Sequence, residues 1–319
     1  MISTSRILGI AFLFQIGLSI MGNAILFVGY TYIFIANPKQ RPMCLIVTHL
    51  SVVHLLLVCT AGVPGVAEIL GYRVLINDIM CKINTYLHRV SRALSICLTS
   101  LLSILQTITI SPASSYWAVF KTKNLLYIIY SFFFVWILNL LICSNMIISM
   151  TAPKSGNISK VIAKSCFILS MNDFIKWFFL MFLVLRDITF LGSMGWTSGY
   201  MTLHLYRHHK RTQHLRRSTT PFKMNHEMRA TKKIIILTLC FISLYGINMI
   251  LSINIGYFSK TEPVILQIEQ LVAASFALLS PVVFLSNNSQ LHIFWASVFE
   301  KIRNLQNRGT NAMQMPCKC

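Results

Sequence analysis

Seven long apolar stretches dominate this 319-residue chain and limit the folds open to it. A helix needs about 20 apolar residues to cross the hydrocarbon core of a bilayer. The stretches that satisfy this length are approximately residues 7–36, 44–70, 79–110, 124–149, 172–205, 231–257 and 263–286. Because lipid offers backbone groups no hydrogen-bond partner, each stretch is predicted to be a helix and all of them to pack as one bundle. The expected fold is an all-α membrane protein, with a seven-transmembrane helix bundle in residues 1–286.

The balance of residue types agrees with a chain that is dissolved mostly in lipid. Hydrophobic residues make up 55% of the sequence and charged residues only 11%, whereas soluble domains carry about 25% charged residues. The net charge of +20 would suggest a nucleic-acid partner for a soluble protein. In a membrane protein, basic residues collect in cytoplasmic loops and face anionic lipid instead. We therefore expect the lipid bilayer as a partner, and no nucleic acid.

The distribution of Lys and Arg among the loops predicts the orientation of the bundle. With the N-terminus outside, the three inner loops carry 2, 2 and 9 of these residues and the tail carries 4, against 7 in the outer segments. This excess predicts a multi-pass protein with an extracellular N-terminus. A glycosylation sequon at Asn157 falls in a loop that this orientation places outside. A second sequon, at Asn287, falls inside and is interpreted as a chance match.

Two cysteines lie at loop edges on the predicted outer side. Cys81 stands at the outer start of span three, and Cys166 stands in the outer loop before span five. Both are exposed to an oxidising compartment, in which a disulfide forms and persists. A bridge between them would hold the loop over the mouth of the bundle. The alternative is two free thiols.

The chain after span seven, residues 287–319, is predicted to form a short cytoplasmic amphipathic helix and a tail. Apolar residues in this segment accompany Lys301 and Arg303, which is the pattern of a helix that lies on the membrane surface. Cys317 and Cys319 are either palmitoylation sites or free cytosolic thiols.

Three short runs, in order and at matched places in the bundle, narrow the class. Residues 49–56 read HLSVVHLL in span two, residues 97–112 read CLTSLLSILQTITISP in span three, and residues 226–233 read HEMRATKK before span six. Together with seven spans, an outside N-terminus and the cysteine pair, they resemble vomeronasal type-1 receptors, a pheromone-receptor family of G-protein-coupled receptors. The resemblance covers nearly the whole chain, from span one to the end of span seven.

The resemblance implies a chemosensory receptor that binds a small pheromone-like ligand in the outer half of the bundle. It also implies activation of a heterotrimeric G protein of the inhibitory type, in the plasma membrane of vomeronasal sensory neurons. A bitter-taste-type receptor is the alternative within the class. A membrane transporter or channel is the alternative outside it, but neither repeated halves nor a ring of pore charges is found.

Other functions lack the residues that they require. The sequence contains neither a nucleophile–base set nor a phosphate-binding loop, either of which would suggest an enzyme. Span seven has no lysine to hold retinal. Histidines are interleaved in the third inner loop, but they do not complete a tetrahedral metal site there. We therefore expect no enzymatic activity, no metal and no cofactor.

Several positions depart from the pattern of the wider rhodopsin-like class. His54 stands in span two where that class has the buried aspartate of a sodium pocket, so sodium-dependent control is not expected. Ser111-Pro112 replaces the acid–arginine pair at the end of span three, and Ser280-Pro281 replaces Asn-Pro in span seven. The ionic latch of the wider class is therefore unavailable to this chain.

Charged residues inside the spans indicate where a ligand binds. A charge at bilayer depth costs at least ~2.5–3.5 kcal/mol and usually lines a cavity. Span three carries His88, Arg89 and Arg92. The two arginines share a helix face and lie roughly 12 and 16 Å inward from Cys81. Glu269 in span seven is expected at a comparable depth.

Two interpretations of these charges remain open, and they can coexist. In one, Arg89 or Arg92 holds an anionic group of the ligand, such as a carboxylate or sulfate, and Glu269 tunes the site. In the other, one arginine simply pairs with Glu269 and makes its burial tolerable. The remaining candidate ligand-binding residues are His88, Asn248 in span six and Gln267 in span seven.

Span five contains the adjacent charged residues Arg186 and Asp187. Neighbours on an α-helix project about 100° apart. We therefore expect that these two side chains do not face each other, and that each finds a partner on a neighbouring span or in water.

The inner loop between spans five and six is strongly basic and is a candidate surface for the G protein. The residues proposed to face the G protein are Arg207, Lys210, Arg211, Arg229, Lys232 and Lys233. The alternative is attraction to lipid headgroups, at about 1 kcal/mol per charge near the surface. Both interpretations can hold.

Overall fold

The predicted spans are helices in the computed structural model of the chain. The structure describes residues 2–38, 41–69, 78–111, 124–145, 147, 150–151, 167–168, 173–215, 238–251, 253, 263–287, 291, 294–300 and 303. The first five helices are α1 (Ile2–Ala36), α2 (Arg41–Ile69), α3 (Asp78–Ile110), α4 (Asn124–Cys143) and α5 (Asp173–Leu215). They are followed by α6 (Thr238–Leu251), α7 (Pro263–Asn287) and α8 (residues 294–300).

Six of the described helices are long and apolar enough to cross a membrane. Their spanning segments are Gly9–Ala36, Arg41–Gly62, Ile79–Ile110, Leu126–Cys143, Trp177–His204 and Ile268–Leu285. The α6 helix is apolar but shorter over its described length, Thr238–Leu251. The ends of the predicted sixth span, 231–257, lie outside the described residues.

The two largest differences from the predicted limits are at the ends of α5 and α4. The α5 helix continues to Leu215 rather than stopping near residue 205, because Lys, Arg and Gln are good helix formers and hydropathy marks only where the lipid ends. The α4 helix ends at Cys143 rather than near residue 149. There the Ser144 amide donates to the Leu141 carbonyl at 3.2 Å, the shorter i→i−3 bond that tightens a last helical turn.

A short β-ladder spans the outer loop between α4 and α5, where no strand was predicted. Strand β1 (Met150–Thr151) pairs antiparallel with β2 (Phe167–Ile168), with Met150 opposite Ile168. The β1 strand also packs against α3. The ladder therefore places part of this loop over the outer end of α3.

The α3 helix lies at the centre of the bundle. Every residue from Ser91 to Ser100 on it is buried, and it packs against α2, α4 and α5. Small side chains such as Ser95 and Ser100 allow neighbouring helices to approach closely, which is the usual basis of helix association in membranes. The polar groups between Ser91 and Ser100 consequently point at other helices rather than at lipid.

The packing of α1 against α7 follows from a proline in the interior of α7. Pro281 has no amide hydrogen, so the Ala277 carbonyl lacks its usual helical partner. Asn23 on α1 donates to this carbonyl from Nδ2 at 2.7 Å. Close approach is allowed by Gly22, since a Cβ there would lie 2.7 Å from Pro281 Cβ. The contact satisfies a buried backbone group and fixes α1 beside α7.

The predicted amphipathic helix after span seven is present as α8. Phe294 stacks on Tyr32 of α1, with ring centroids 4.4 Å apart. Gly29 on α1 makes room for Leu291 and Trp295. The apolar face of this segment thus packs on the inner end of α1, while Phe299 remains exposed.

Candidate functional site

An ion pair connects the centre of the bundle to α7. Arg92 Nη1 on α3 lies 2.9 Å from Glu269 Oε1, and both side chains are largely buried, 8% and 16% exposed. Of the two arginines considered from the sequence, Arg92 is therefore the one that pairs with Glu269. A paired charge is far cheaper to bury than an isolated one.

A small cavity opens beside this pair, between α3, α4, α5 and α6. Arg89 and Arg92 line it from α3, and Arg186 and Asp187 line it from α5. Its other lining residues are Cys143, Leu180, Leu183, Val184, Met249 and Ile253. The space measures about 30 Å³, enough for one or two water molecules. A charged end and an apolar wall thus meet in one small space.

The expectation that Arg186 and Asp187 do not face each other is wrong, but Arg186 does have the expected partner on a neighbouring span. Arg186 Nε and Nη2 both donate to Asp187 Oδ1, at 2.9 and 2.7 Å. Arg186 Nη1 also donates to Asn139 Oδ1 of α4 at 3.1 Å. The angle of about 100° between neighbours on a helix describes only the directions of their Cβ atoms. The arginine side chain is long enough to bend back to the carboxylate of its neighbour. Deep burial of both groups favours this pairing because neither reaches water.

Among the described residues, one arginine of the cavity is in no ion pair. Glu269 neutralises Arg92, and Asp187 neutralises Arg186. Within the described part of the chain, Arg89 makes no ion pair or hydrogen bond. Counting the described side chains alone, the cavity therefore carries one excess positive charge, on a side chain that is half-buried. Such a group favours an anionic partner.

Two of the other candidate ligand-binding residues, His88 and Asn248, are not among the described residues that line this cavity. His88 Nδ1 lies 3.3 Å from Thr60 Oγ1 and so faces α2. Asn248 is buried on α6 and does not line the cavity. Gln267 lies on α7, but its side chain is outside the described part of the structure. Sequence reasoning did not single out Met249, which lines the cavity one residue after Asn248.

A second polar cluster lies deeper, around His54. Its Nδ1 is 2.9 Å from Ser280 Oγ on α7, and its Nε2 is 2.7 Å from Ser95 Oγ on α3. Ser95 Oγ also lies 2.7 Å from the Tyr245 hydroxyl on α6. The chain of four side chains therefore joins α2, α3, α6 and α7. The sequence identified His54 as unusual but gave no sign of Ser95 or Tyr245 as its partners.

The inner end of the bundle presents part of the proposed G-protein surface. Arg207 and Lys210 are exposed on the inner extension of α5. Arg211 belongs to the same helix, with its side chain outside the described part. The other three proposed residues, Arg229, Lys232 and Lys233, lie outside the described residues. Nearby, Ser111 at the end of α3 donates from Oγ to the Tyr200 hydroxyl at 3.4 Å.

The outer side offers one observation on the expected disulfide. Cys81 is buried at the outer end of α3 and is disulfide-bonded. Its partner is outside the described residues, as are Cys166 and Asn157. Strand β2 begins one residue after Cys166, and its partner strand packs on α3. Pairing with Cys166 stays a prediction.

Comparison with known proteins agrees with the helical arrangement. The sequence pattern of the vomeronasal organ pheromone receptor family matches residues 6–297. Vomeronasal type-1 receptor 90 of Rattus norvegicus is 32% identical over 289 residues, 90% of this chain and 93% of that protein. Olfactory receptor class A-like protein 1 of Danio rerio is 30% identical over 286 residues, 89% of this chain and 90% of that protein.

These matches decide between the classes of protein that the sequence left open. They cover all seven spans, so they concern the whole bundle and not one motif within it. A bitter-taste-type receptor and a transporter or channel are both set aside, as is an enzyme. This chain belongs to the vomeronasal organ pheromone receptor family and is a seven-transmembrane, G-protein-coupled chemosensory receptor.

Proposed function

We propose that this receptor detects a small pheromone-like molecule with one negative charge, and that Arg89 contacts that charge. The observation that carries the proposal is the unpaired state of Arg89 among the described residues of a cavity whose other two arginines are paired. A carboxylate or sulfate would accept two parallel hydrogen bonds from its guanidinium group. The apolar residues Leu180, Leu183 and Met249 would contact the rest of the ligand.

Glu269 tunes this site by holding Arg92. While the pair is intact, one positive charge faces the ligand; if Glu269 loses its charge, two positive charges do. The preference for a single negative charge therefore depends on a residue that does not line the cavity itself. His88, Asn248 and Gln267 act as secondary positions, either by shaping the helices that line the cavity or by contacts in a more open arrangement.

Ligand binding activates the receptor by a shift between two arrangements of the bundle. The present cavity of about 30 Å³ is far smaller than the roughly 300–1,000 Å³ of ligand pockets. A ligand therefore binds a more open arrangement, and its binding energy increases the population of that arrangement. Both α5 and α6 line the cavity, and α5 continues to the inner face, so the opening is transmitted to the cytoplasmic side.

The inner face then engages a heterotrimeric G protein of the inhibitory type. Arg207, Lys210 and Arg211 on α5 contribute, together with Arg229, Lys232 and Lys233 before α6. The support is the exposure of Arg207 and Lys210 beyond the spanning segment of α5. The receptor acts in the plasma membrane of vomeronasal sensory neurons, in keeping with the names of its relatives.

The outer loop is held over the ligand entrance by a disulfide between Cys81 and Cys166, and is glycosylated at Asn157. The disulfide-bonded state of Cys81 supports the first part. The position of the β-ladder against α3 supports it further.

The ligand proposal is tested by expressing the full chain in cells with a panel of Gα subunits. Small carboxylates, sulfates, neutral molecules and amines are then compared in calcium and cAMP assays. We expect the wild type to respond to monoanions. Arg89→Ala should raise the half-maximal concentration by roughly 10- to 100-fold, as loss of a charge-assisted hydrogen bond predicts, and Arg89→Lys should restore part of the response.

Lys82→Ala is the matched control, because it removes a positive charge from α3 two turns closer to the outside and away from the cavity lining. Receptor at the cell surface is quantified for each variant. Unchanged responses of Arg89→Ala to every active compound would show that Arg89 does not bind the ligand. Pertussis toxin should abolish the response; a response that persists would exclude the inhibitory type.

A further inference from the structure

The hydrogen-bonded chain around His54 occupies the middle of the bundle and uses both nitrogens of the imidazole ring. His54 is 1% exposed, Ser95 is 0%, Tyr245 is 1% and Ser280 is 1%. In a neutral imidazole, one nitrogen donates and the other accepts. The ring therefore bridges Ser280 and Ser95, and the hydroxyl of Ser95 is also hydrogen-bonded to the hydroxyl of Tyr245. No other imidazole in the described residues bridges two helices in this way through both nitrogens.

The four hydrogen-bonded side chains are called here the His54 relay (His54, Ser95, Tyr245 and Ser280). We propose that the His54 relay is a latch that holds the receptor in its resting arrangement. The proposal rests on the receptor activity and does not depend on the charge of the ligand. It assigns His54 a role in setting the basal level of signalling.

The relay lies one helical turn from the ligand cavity on two helices. On α3, Arg92 precedes Ser95 by three residues, and on α6, Met249 follows Tyr245 by four. Residues at these spacings lie on the same face of a helix. Arg92 and Met249 both line the cavity. A displacement of α3 relative to α6 at the cavity therefore also acts on the bond between Ser95 and Tyr245.

A ring contact extends the relay to the middle of α7. Tyr245 stacks on Phe276 with centroids 3.9 Å apart and planes 28° from parallel. Phe276 lies one turn before Ser280 on the same helix. The α6 helix is thus tied to α7 by ring stacking and to α3 by a hydroxyl, while His54 ties α2 to both α3 and α7. Breaking one bond loosens all four helices at a common level.

The arrangement that these bonds stabilise is the closed one. The cavity above the relay has about 30 Å³ of space, which excludes a ligand of pheromone size. To open the cavity, α6 must separate from α3, and the 2.7 Å contact between Tyr245 and Ser95 is lost. Removing relay bonds therefore lowers the free energy of the open arrangement relative to the closed one.

The test measures signalling without any added ligand. His54→Ala, Ser95→Ala and Tyr245→Phe are expressed with a panel of Gα activation sensors, and basal activity is divided by the amount of receptor at the cell surface. We expect each variant to raise basal activity roughly three- to tenfold, in keeping with the loss of one or two interhelical hydrogen bonds. Tyr245→Phe removes only the hydroxyl and keeps the ring stacked on Phe276.

His49→Ala is the matched control, since it removes the same side chain from the same helix five residues earlier. His49 Nδ1 bonds the Leu45 carbonyl of its own helix at 2.8 Å, and its ring packs on Phe132. Its loss removes packing but no hydrogen bond between helices, so we expect basal activity to stay at the wild-type level. An equal rise in His49→Ala would overturn the latch and indicate general loosening.

A double variant, His54→Ala with Tyr245→Phe, decides whether the residues act as one unit. Because both changes break the same chain at Ser95, the combined rise should be smaller than the product of the two single rises. A combined rise equal to the product would overturn the proposal, as would wild-type basal activity in Ser95→Ala and Tyr245→Phe. If His54→Ala does not reach the surface, Ser95→Ala replaces it in the double variant.

Discussion

At the scale of single residues, five charged side chains meet at bilayer depth in and around the cavity between α3, α4, α5 and α6. Arg92 pairs with Glu269 between helices, and Arg186 pairs with Asp187 within one helix. These two pairs neutralise four of the five charges, and Arg89 is the fifth. Each pair makes burial tolerable for its own members, so the pairs determine how much charge is left for a ligand.

The Arg186–Asp187 pair yields a prediction about stability. Arg186→Met or Asp187→Asn alone should destabilise the receptor by on the order of 3–5 kcal/mol, because each leaves an unpaired charge in the interior. The double variant should lose much less. The measurement is thermal unfolding of the detergent-purified receptor. Arg207→Met, an exposed change on the same helix, is the control and should have little effect; a double variant as unstable as the singles would refute the pairing argument.

At the scale of elements, the contact of α1 with α7 depends on a backbone group that lacks its ordinary partner. Pro281 leaves the Ala277 carbonyl open within α7, and Asn23 of α1 satisfies it. The approach needed for this bond is available only because Gly22 has no side chain. Proline, glycine and asparagine on two helices thus act as one contact, although each residue alone is common in membrane helices or tolerated there.

The α1–α7 contact is tested by Gly22→Leu. A side chain at this position meets Pro281 and must push the two helices apart, which should cost about 1–3 kcal/mol and lower both thermal stability and the amount of receptor at the cell surface. Gly17→Leu is the matched control on the same helix, because nothing lies within 4 Å of a Cβ at Gly17. Equal losses in the two variants would mean that close approach to Pro281 is not the cause.

At the scale of the whole molecule, apolar side chains cover the outside of the bundle and polar ones are directed inward. Exposed residues such as Phe174, Trp196 and Ile35 would face lipid, and buried serines, threonines and ion pairs lie between helices. This is the reverse of the pattern in a soluble protein, and it follows from a solvent that cannot hydrogen-bond. The excess of basic residues in the inner loops indicates which side of the bundle faces the cytoplasm.

The orientation is tested by the two glycosylation sequons. Asn157→Gln should increase the electrophoretic mobility of the receptor from mammalian cells and abolish its sensitivity to a glycan-removing enzyme, since only outer asparagines meet the glycosylation machinery. Asn287→Gln, which changes the inner sequon, should leave mobility unchanged. A shift in the second variant and not in the first would reverse the orientation.

Much of this receptor was decided by its sequence alone. Apolar stretches of sufficient length predicted the helices, the loop charges predicted the orientation, and motifs spread along the chain predicted the family, because each of these depends on local composition or local order. The same reasoning placed Arg92 and Glu269 at one depth and identified His54 as unusual in span two.

Only the tertiary structure decided which of these residues meet. It chose Arg92 over Arg89 as the partner of Glu269, joined Arg186 to Asp187 against the helical projection, and connected His54 to Ser95 and Ser280. Such contacts depend on the rotation and spacing of packed helices and on how a long side chain bends, and neither is written in the periodicity of one segment. The sequence therefore determined which groups must be satisfied in the membrane, and packing determined which group satisfies each.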